Sequence, residues 1–345
     1  MTQLASMDDE RKATVFVVGE GFSAALGFPV GDSALIELYE RIDSSLEERI
    51  RNFFRHRHDM LDLSDCANAS LESLLTELLL MEYWATGVSK NVRCPFTHEY
   101  LVTLRRDVLL AMTKLFYQLQ RNVRKKPPEW LSVFVSWILQ RRAAVISFNW
   151  DLVLDELMFG SSLDRRSYGF PLTLNTPVLL KPQGSINWYG FDGVRGQADT
   201  CFRLCGVGKQ LVQTLKDFKL PQLYPDPPGK PLVFPSAYLN HVCTSPFKEV
   251  GIGCIERIGA ADRVVFLGYS MPVVALNAQS ILRWGFHNNA RDREQPCEVV
   301  VVQSDNKTTR RIAGVVGPKC ETISERPTVS SWILDELAPA TAAFS

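Results

Sequence analysis

No metal or disulfide framework is spelled out here. The eight cysteines (Cys66, Cys94, Cys201, Cys205, Cys243, Cys254, Cys297 and Cys320) include no C-x-x-C pair. Cys201 and Cys205 are the only close pair, and one pair does not make a structural zinc site. Reduced, buried thiols are therefore expected, with no zinc. No apolar run approaches the roughly 18 residues that a membrane span needs. The opening M-T-Q-L-A-S-M-D-D-E-R-K lacks the apolar core of a signal peptide, so a cytoplasmic protein is expected. An excess of either charge is missing too: 38 Lys+Arg balance 38 Asp+Glu. Direct nucleic-acid binding is not expected from that balance, and the basic run Arg121 to Lys126 reads as a solvated helix end. There is no G-x-x-x-x-G-K-[ST], no internal repeat and no low-complexity tract.

What is present is organised around Thr14 to Pro29, T-V-F-V-V-G-E-G-F-S-A-A-L-G-F-P. Thr14 to Val18 is a short β-branched run suited to a buried parallel strand. Gly19, Gly21 and Ala24 then match G-x-G-x-x-A, a turn that lets the backbone approach a ligand and offers N–H groups to an anion. A dehydrogenase would follow with a second strand ending in an acidic residue about twenty positions on. Here the chain instead turns helical for roughly a hundred residues.

Pro29 to Asp32 reads as a loop, with Asp32 or Ser33 capping a helix from Ala34 to about Arg57. Further helices are expected at Ser70–Tyr83, Thr97–Val123 and Glu129–Arg141, their leucine and aromatic stripes being packing faces. Strands are expected at Ala143–Phe148, Pro177–Leu180, Val264–Tyr269 and Glu298–Gln303. Between them lie helices at Leu152–Met158, Tyr238–Gly259 and Leu276–Asn288. Residues 190–208 read as a loop or small hairpin, and a strand precedes Pro235. Alternating strands and helices predict a doubly wound, Rossmann-like, mostly parallel sheet with a large helical insertion. The expected division is a core of 1–33 and 142–325, an insertion of 34–141 serving as cap or assembly surface, and a C-terminal helix and tail of 326–345.

In such sheets ligands sit beyond the carboxyl ends of the strands. The residues there are small or polar: Gly19, Gly21, Phe22 and Ser23, with Pro29 beyond; Asn149 and Asp151; Gln183, Gly184 and Ser185; Gly268 and Ser270; Ser304 and Asp305. Five strand ends of this kind point to one binding site.

Taken in order, G-x-G-F-S, F-N-x-D, K-P-x-G-S-I-N-W, V-F-P-S and A-D-R-V-V-F-L-G-Y-S-M-P resemble the sirtuin-like NAD-consuming proteins. The likeness is nearest to the bacterial branch that serves in anti-phage defence, and it runs from about Val15 to Asp305. It implies NAD binding and hydrolysis of the nicotinamide–ribose bond, depleting NAD on infection. It also implies a separate regulatory partner, such as an ATPase motor or an Argonaute-like protein, while the long helical insertion, as a self-association surface, points to a homo-oligomer. Deacetylating sirtuins carry a zinc module with two C-x-x-C pairs, which this chain lacks.

Breaking that bond passes through an oxocarbenium-like state at the ribose C1′, which needs neutral polar groups to orient ribose and water, and usually a base. The resemblance puts the catalytic asparagine at Asn149, whose amide can donate and accept. Asp151 could face the cation or cap the next helix, and Ser23 could donate to a phosphate or ribose oxygen. The resemblance places a histidine base before Gly184-Ser185, where this chain has Gln183. A carboxamide does not titrate near neutral pH, and general-base help is worth about 10² to 10⁴ in rate. Gln183 thus belongs either to an enzyme trapped with its ligand or to a relative that binds NAD or ADP-ribose without turnover. Glu20, between the two glycines, is a second departure. Aimed at a pyrophosphate from about 4 Å, it would cost roughly 1 kcal/mol in water and about 4 kcal/mol at an effective dielectric of 20. It could equally point to solvent or pair with an arginine.

Overall fold

The computed structural model describes residues 13–58, 70–85, 95–171, 176–191, 201–204, 230–235, 245–292, 295, 297–303, 305–325 and 328–342. At its centre is β1, Thr14–Val18, whose last four residues are all buried. It pairs in parallel with β2 (Ala144–Ser147) on one side and β7 (Arg263–Leu267) on the other. With β3 (Val178–Leu180), β8 (Glu298–Val302) and β9 (Glu321–Glu325) these form one six-stranded sheet in the order β3-β2-β1-β7-β8-β9. All its pairings are parallel. The chain winds outward from β1 in one direction, then returns and winds outward in the other, so the switch point falls between β1 and β7.

Strand side chains alternate between the faces, and aromatic contacts reveal what covers each. Phe16 meets Phe134 and Trp137 of α6 (Glu129–Arg141), with ring centroids 4.9 and 5.4 Å apart. On the opposite face Phe266, the register partner of Val17, meets Phe286 of α9 (Leu276–Asp292) at 6.4 Å. The C-terminal helix α11 (Val329–Ala342) packs on α6, and α8 (Phe247–Gly259) packs on α9. Burying a Phe or Val side chain contributes about 1.5–3 kcal/mol, so this two-sided burial is what makes the uncharged strands form.

Between β1 and β2 run α1 (Glu20–Ala24), α2 (Asp32–Tyr39), α3 (Ser44–His58), α4 (Leu71–Ala85), α5 (His98–Lys125) and α6. The single helix expected over Ala34–Arg57 is two. Asp43 accepts a hydrogen bond from Leu46 N at 2.8 Å and starts a new helix after the turn at Glu40–Ile42. Gly31, not Asp32 or Ser33, occupies the cap of α2, while Ser33 exchanges hydrogen bonds with the backbone of Val30. Helices α4, α5 and α6 start and stop within two residues of expectation, while the short α1 was read only as part of the glycine turn. Thr97 caps α5 through Tyr100 N.

After β2 come α7 (Val153–Phe159), two short 3-10 turns and β3. A second, antiparallel sheet in the order β5-β4-β6 follows: β4 is Gly184–Phe191, β5 Cys201–Leu204 and β6 Lys230–Val233. The hairpin expected near 190–208 thus exists as β4 and β5; residues 192–200 and 205–229, with Cys205, lie outside the described residues. So do Ser304 and the expected helical start at 238–244. Beyond β8 the structure adds α10 (Asn306–Val316) and β9, neither of which was assigned from sequence. The segment E-T-I-S-E has one large apolar residue and reads as a strand only because β8 is beside it.

Candidate functional site

The first turn after β1 is closed by contact with β7. Gly21 N donates to Gly268 O at 2.8 Å, and a Cβ on Gly21 would lie 2.9 Å from Gly268 Cα. Only glycines allow these two backbones to approach so closely. The same contact revises an expectation: the Gly21 amide is spent on Gly268, and Phe22 N donates to Gly19 O at 2.9 Å. Neither is held out for an anion.

Asn149, beyond β2, donates through Nδ2 to Gly19 O and to Ser23 Oγ, both at 2.8 Å. A backbone carbonyl only accepts, so the amide orientation is determined and Asn149 Oδ1 is the atom left over. Ser23 Oγ in turn donates to Asp151 Oδ2 at 2.7 Å. The other oxygen of Asp151 accepts from Val153 N at 3.0 Å, holding the first turn of α7 from the position before its cap residue, Leu152. Asp151 thus serves the helix start and also ties Ser23 and Asn149 into one chain.

Beneath this chain the K-P-Q-G-S-I-N-W segment forms a buried polar cluster. Lys181, 1% exposed, donates to Asp151 O at 2.6 Å, Ser185 Oγ at 2.8 Å and Asp155 Oδ2 at 3.2 Å. Asp155 also accepts from the Tyr168 hydroxyl, which accepts from Asn187 Nδ2 at 3.0 Å. Burial pushes the Asp155 carboxyl above the usual range, against the pull of Lys181 and Tyr168. Burial followed by the Asp155 charge pushes the Tyr168 hydroxyl well up. The cluster pins the turn carrying Gln183 to the loop carrying Asn149 and Asp151.

Above it opens a cavity of about 120 Å³, partly open to solvent. Of the residues expected at a site, Gly19, Ser23, Pro29, Asn149, Asp151, Gln183 and Ser270 line it. The glycine corner, the asparagine and the glutamine thus share one space. Gly21, Phe22, Gly184, Gly268 and Asp305 are placed otherwise. Gly21 and Gly268 pack on each other. Phe22 lies in the core against Trp130 and Phe134. Gly184 has φ +82°, and a Cβ there would stand 1.8 Å from Leu232 O. Asp305 is exposed and caps α10 through Lys307 N and Thr308 N; those bonds hold its carboxyl below the usual range.

Several wall residues were not anticipated. Ser70, Leu71 and Glu72 come from the start of α4, where Ser70 and Ser73 exchange backbone-to-hydroxyl bonds at 2.9 and 3.0 Å. Phe148, Trp150 and Tyr269 flank the predicted positions, with the Phe148 and Tyr269 rings stacked at 4.7 Å. Their neighbours in sequence were the only available signal. Glu20, on the rim, is open on its outer side. Burial by the walls and then the Glu72 charge raise its carboxyl above the usual range. Of the alternatives left open for it, exposure to solvent is met, at the edge of the cavity.

The strand order, the switch point and a cavity at the carboxyl ends of β1, β2 and β7 make this a Rossmann-like, doubly wound α/β protein. No family model matches the chain, and no curated protein does. Among solved structures it is similar to a Sir2 in complex with EX-527, 2′-O-acetyl-ADP-ribose and a deacetylated p53 peptide (11% identity, 99% of each chain, TM-score 0.43). It is similar also to a Sir2 mutant with a p53 peptide and NAD (12% identity, 100% of each chain, TM-score 0.42).

Proposed function

We propose that the cavity binds NAD and that the chain is built around hydrolysis of the nicotinamide–ribose bond. The observation that supports this reading is the meeting of Gly19, Asn149 and Gln183 on one wall system, Gly19 coming from more than a hundred residues before the other two. Asn149 Oδ1 is oriented to accept from a ribose hydroxyl or an attacking water, because both of its amide hydrogens are held by Gly19 and Ser23. Gln183 can hydrogen-bond to the same sugar but takes no proton near neutral pH, so turnover as written is weak. The resemblance of the motifs extends the reading to an NAD-depleting effector of anti-phage defence in the cytoplasm. A separate partner would then trigger it, and the insertion would assemble copies of the chain. Ile36, Tyr83 and Trp84, large and exposed on the insertion, fit that assembly role.

A second reading is favoured by one observation: no histidine stands among the described wall residues. On it, the protein binds NAD or ADP-ribose without chemistry and acts as a scaffold. Following nicotinamide release from NAD separates the two. Gln183→His should raise release by about 10² or more if the base alone is missing. Bound NAD with no release from Gln183→His selects the scaffold reading, and no binding in either version ends both.

A further inference from the structure

Helices α8 and α9, on one face of the sheet, have an outer surface of uneven character. On α9, Leu276, Ser280 and Trp284 recur every four residues and are exposed, Leu276 by 56% and Trp284 by 65%. Ile252 of α8, 46% exposed, adds to the same surface. Large apolar side chains gathered in solvent mark a contact surface.

Charge is divided across it. The two helices run in the same direction: a Cβ on Gly251 would touch Ile281 at 3.7 Å, and one on Gly285 would meet Ile258. Glu249 and Glu256 stand two residues before Gly251 and Ile258. Arg283 and His287 stand two residues after Ile281 and Gly285. Two residues are about 200° around an α-helix, so the acids turn to one outer flank and the bases to the other. All four are exposed, and Glu249, Arg283 and His287 make no ion pair among the described residues. α9 has no acid before Asp292, and α8 exposes a single cation, Lys248 in its first turn.

We propose that a second copy of the chain docks here, across a two-fold axis that lies in the plane of the surface and runs along the helices. Rotation about that axis lays α8 on the partner's α9 at matching height. Glu256 then meets the partner's Arg283 and His287, each contact is made twice, and Ile252 and Trp284 close the middle. An axis across the helices would set α8 on α8, acid against acid, so the charges select the first arrangement. The inference goes beyond the reading of the cavity and does not depend on what binds there. It also gives the sheet's own helices a contact separate from the insertion.

Sedimentation equilibrium of the whole chain over a concentration series tests it, with circular dichroism confirming that each variant is folded. The parent should show twice the chain mass, and Trp284→Asp should raise the dimer dissociation constant about 30-fold or more. Tyr83→Ser with Trp84→Ser, on the insertion, should leave this dimer intact. Glu249→Lys with Glu256→Lys, and separately Arg283→Glu with His287→Glu, should each give monomers. Mixing those two monomeric variants should restore a dimer, because each then offers the charge that the other lacks. A parent that is monomeric throughout overturns the proposal and leaves the surface to a foreign partner. So does an oligomer that survives Trp284→Asp and both charge swaps, or one lost only in the Tyr83 and Trp84 variant. Swapped variants that stay monomeric when mixed overturn the axis, and the proposal with it.

Discussion

Asn149 illustrates how one side chain is committed before any ligand arrives. Its two amide hydrogens bridge Gly19 and Ser23, 130 and 126 residues away in sequence, which leaves a single oriented acceptor for chemistry. Glu20 shows the opposite economy: a carboxylate held where charge is unfavourable. Its raised pKa means that the folded protein binds a proton more readily than the unfolded chain. Above the folded value the charged side chain costs stability, and below the ordinary glutamate value of about 4.3 the cost is gone. Glu20→Gln should therefore be more stable than the parent at neutral pH. The gap should close as pH falls from the raised value to the ordinary one. Urea unfolding at several pH values checks this, and a gap that widens on acidification contradicts it. That residue 20 sits beside a glycine corner was plain from sequence. That Glu72 faces it was not, because the two residues belong to helices separated by a long stretch of chain.

At the scale of the element, the turn between β3 and β4 is held from below rather than by its own composition. Lys181 and Asp155 are each 1% exposed and joined at 3.2 Å, with Ser185, Tyr168 and the Asp151 carbonyl completing the set. Breaking such a pair from one side strands a buried charge at a cost of about 3–5 kcal/mol, whereas replacing both members is far cheaper. Lys181→Met should lose about that much in urea unfolding. The double variant Lys181→Met, Asp155→Leu should recover a large part. No recovery in the double variant would show that Lys181 matters through Asp151 and Ser185 instead. The motif K-P-Q-G-S-I-N-W was legible as a site segment. Its division of labour was not: Gln183 faces the cavity, while Lys181, Ser185 and Asn187 face inward. The alternation became decidable only once Asp155 and Tyr168 were in place beneath it.

Across the whole molecule, the helical insertion reaches the sheet's carboxyl edge and supplies part of the cavity wall. The start of α4 is at that wall, and its far end is clamped by Arg105 of α5, whose guanidinium makes two bonds to Glu82 at 2.6 and 3.1 Å. The pair is nearly buried, at 7% and 13% exposure, so its loss is felt as a stranded charge rather than a surface adjustment. Arg105→Leu should speed amide hydrogen exchange over 71–85 well before the six-stranded sheet is affected. It should also weaken binding of NAD, the ligand proposed for this cavity. Uniform acceleration throughout the chain would mean that insertion and sheet unfold as one unit.

The strands β1, β2, β7 and β8 and most of the helices follow from sequence, because uncharged β-branched runs and 3.6-residue stripes are local properties. The glycine corner, Asn149 and Gln183 stand out for the same reason. Three things waited for the tertiary structure. Gly268 O took the Gly21 amide and Gly19 O the Phe22 amide, both of which an anion was expected to meet. The edge strand β9 needed β8 as its partner. The acidic, aromatic character of the cavity arose from residues of distant segments, none of which carries a signal by itself. Local pattern sets which elements form. Only packing decides which polar groups are already satisfied and which are left to receive a ligand.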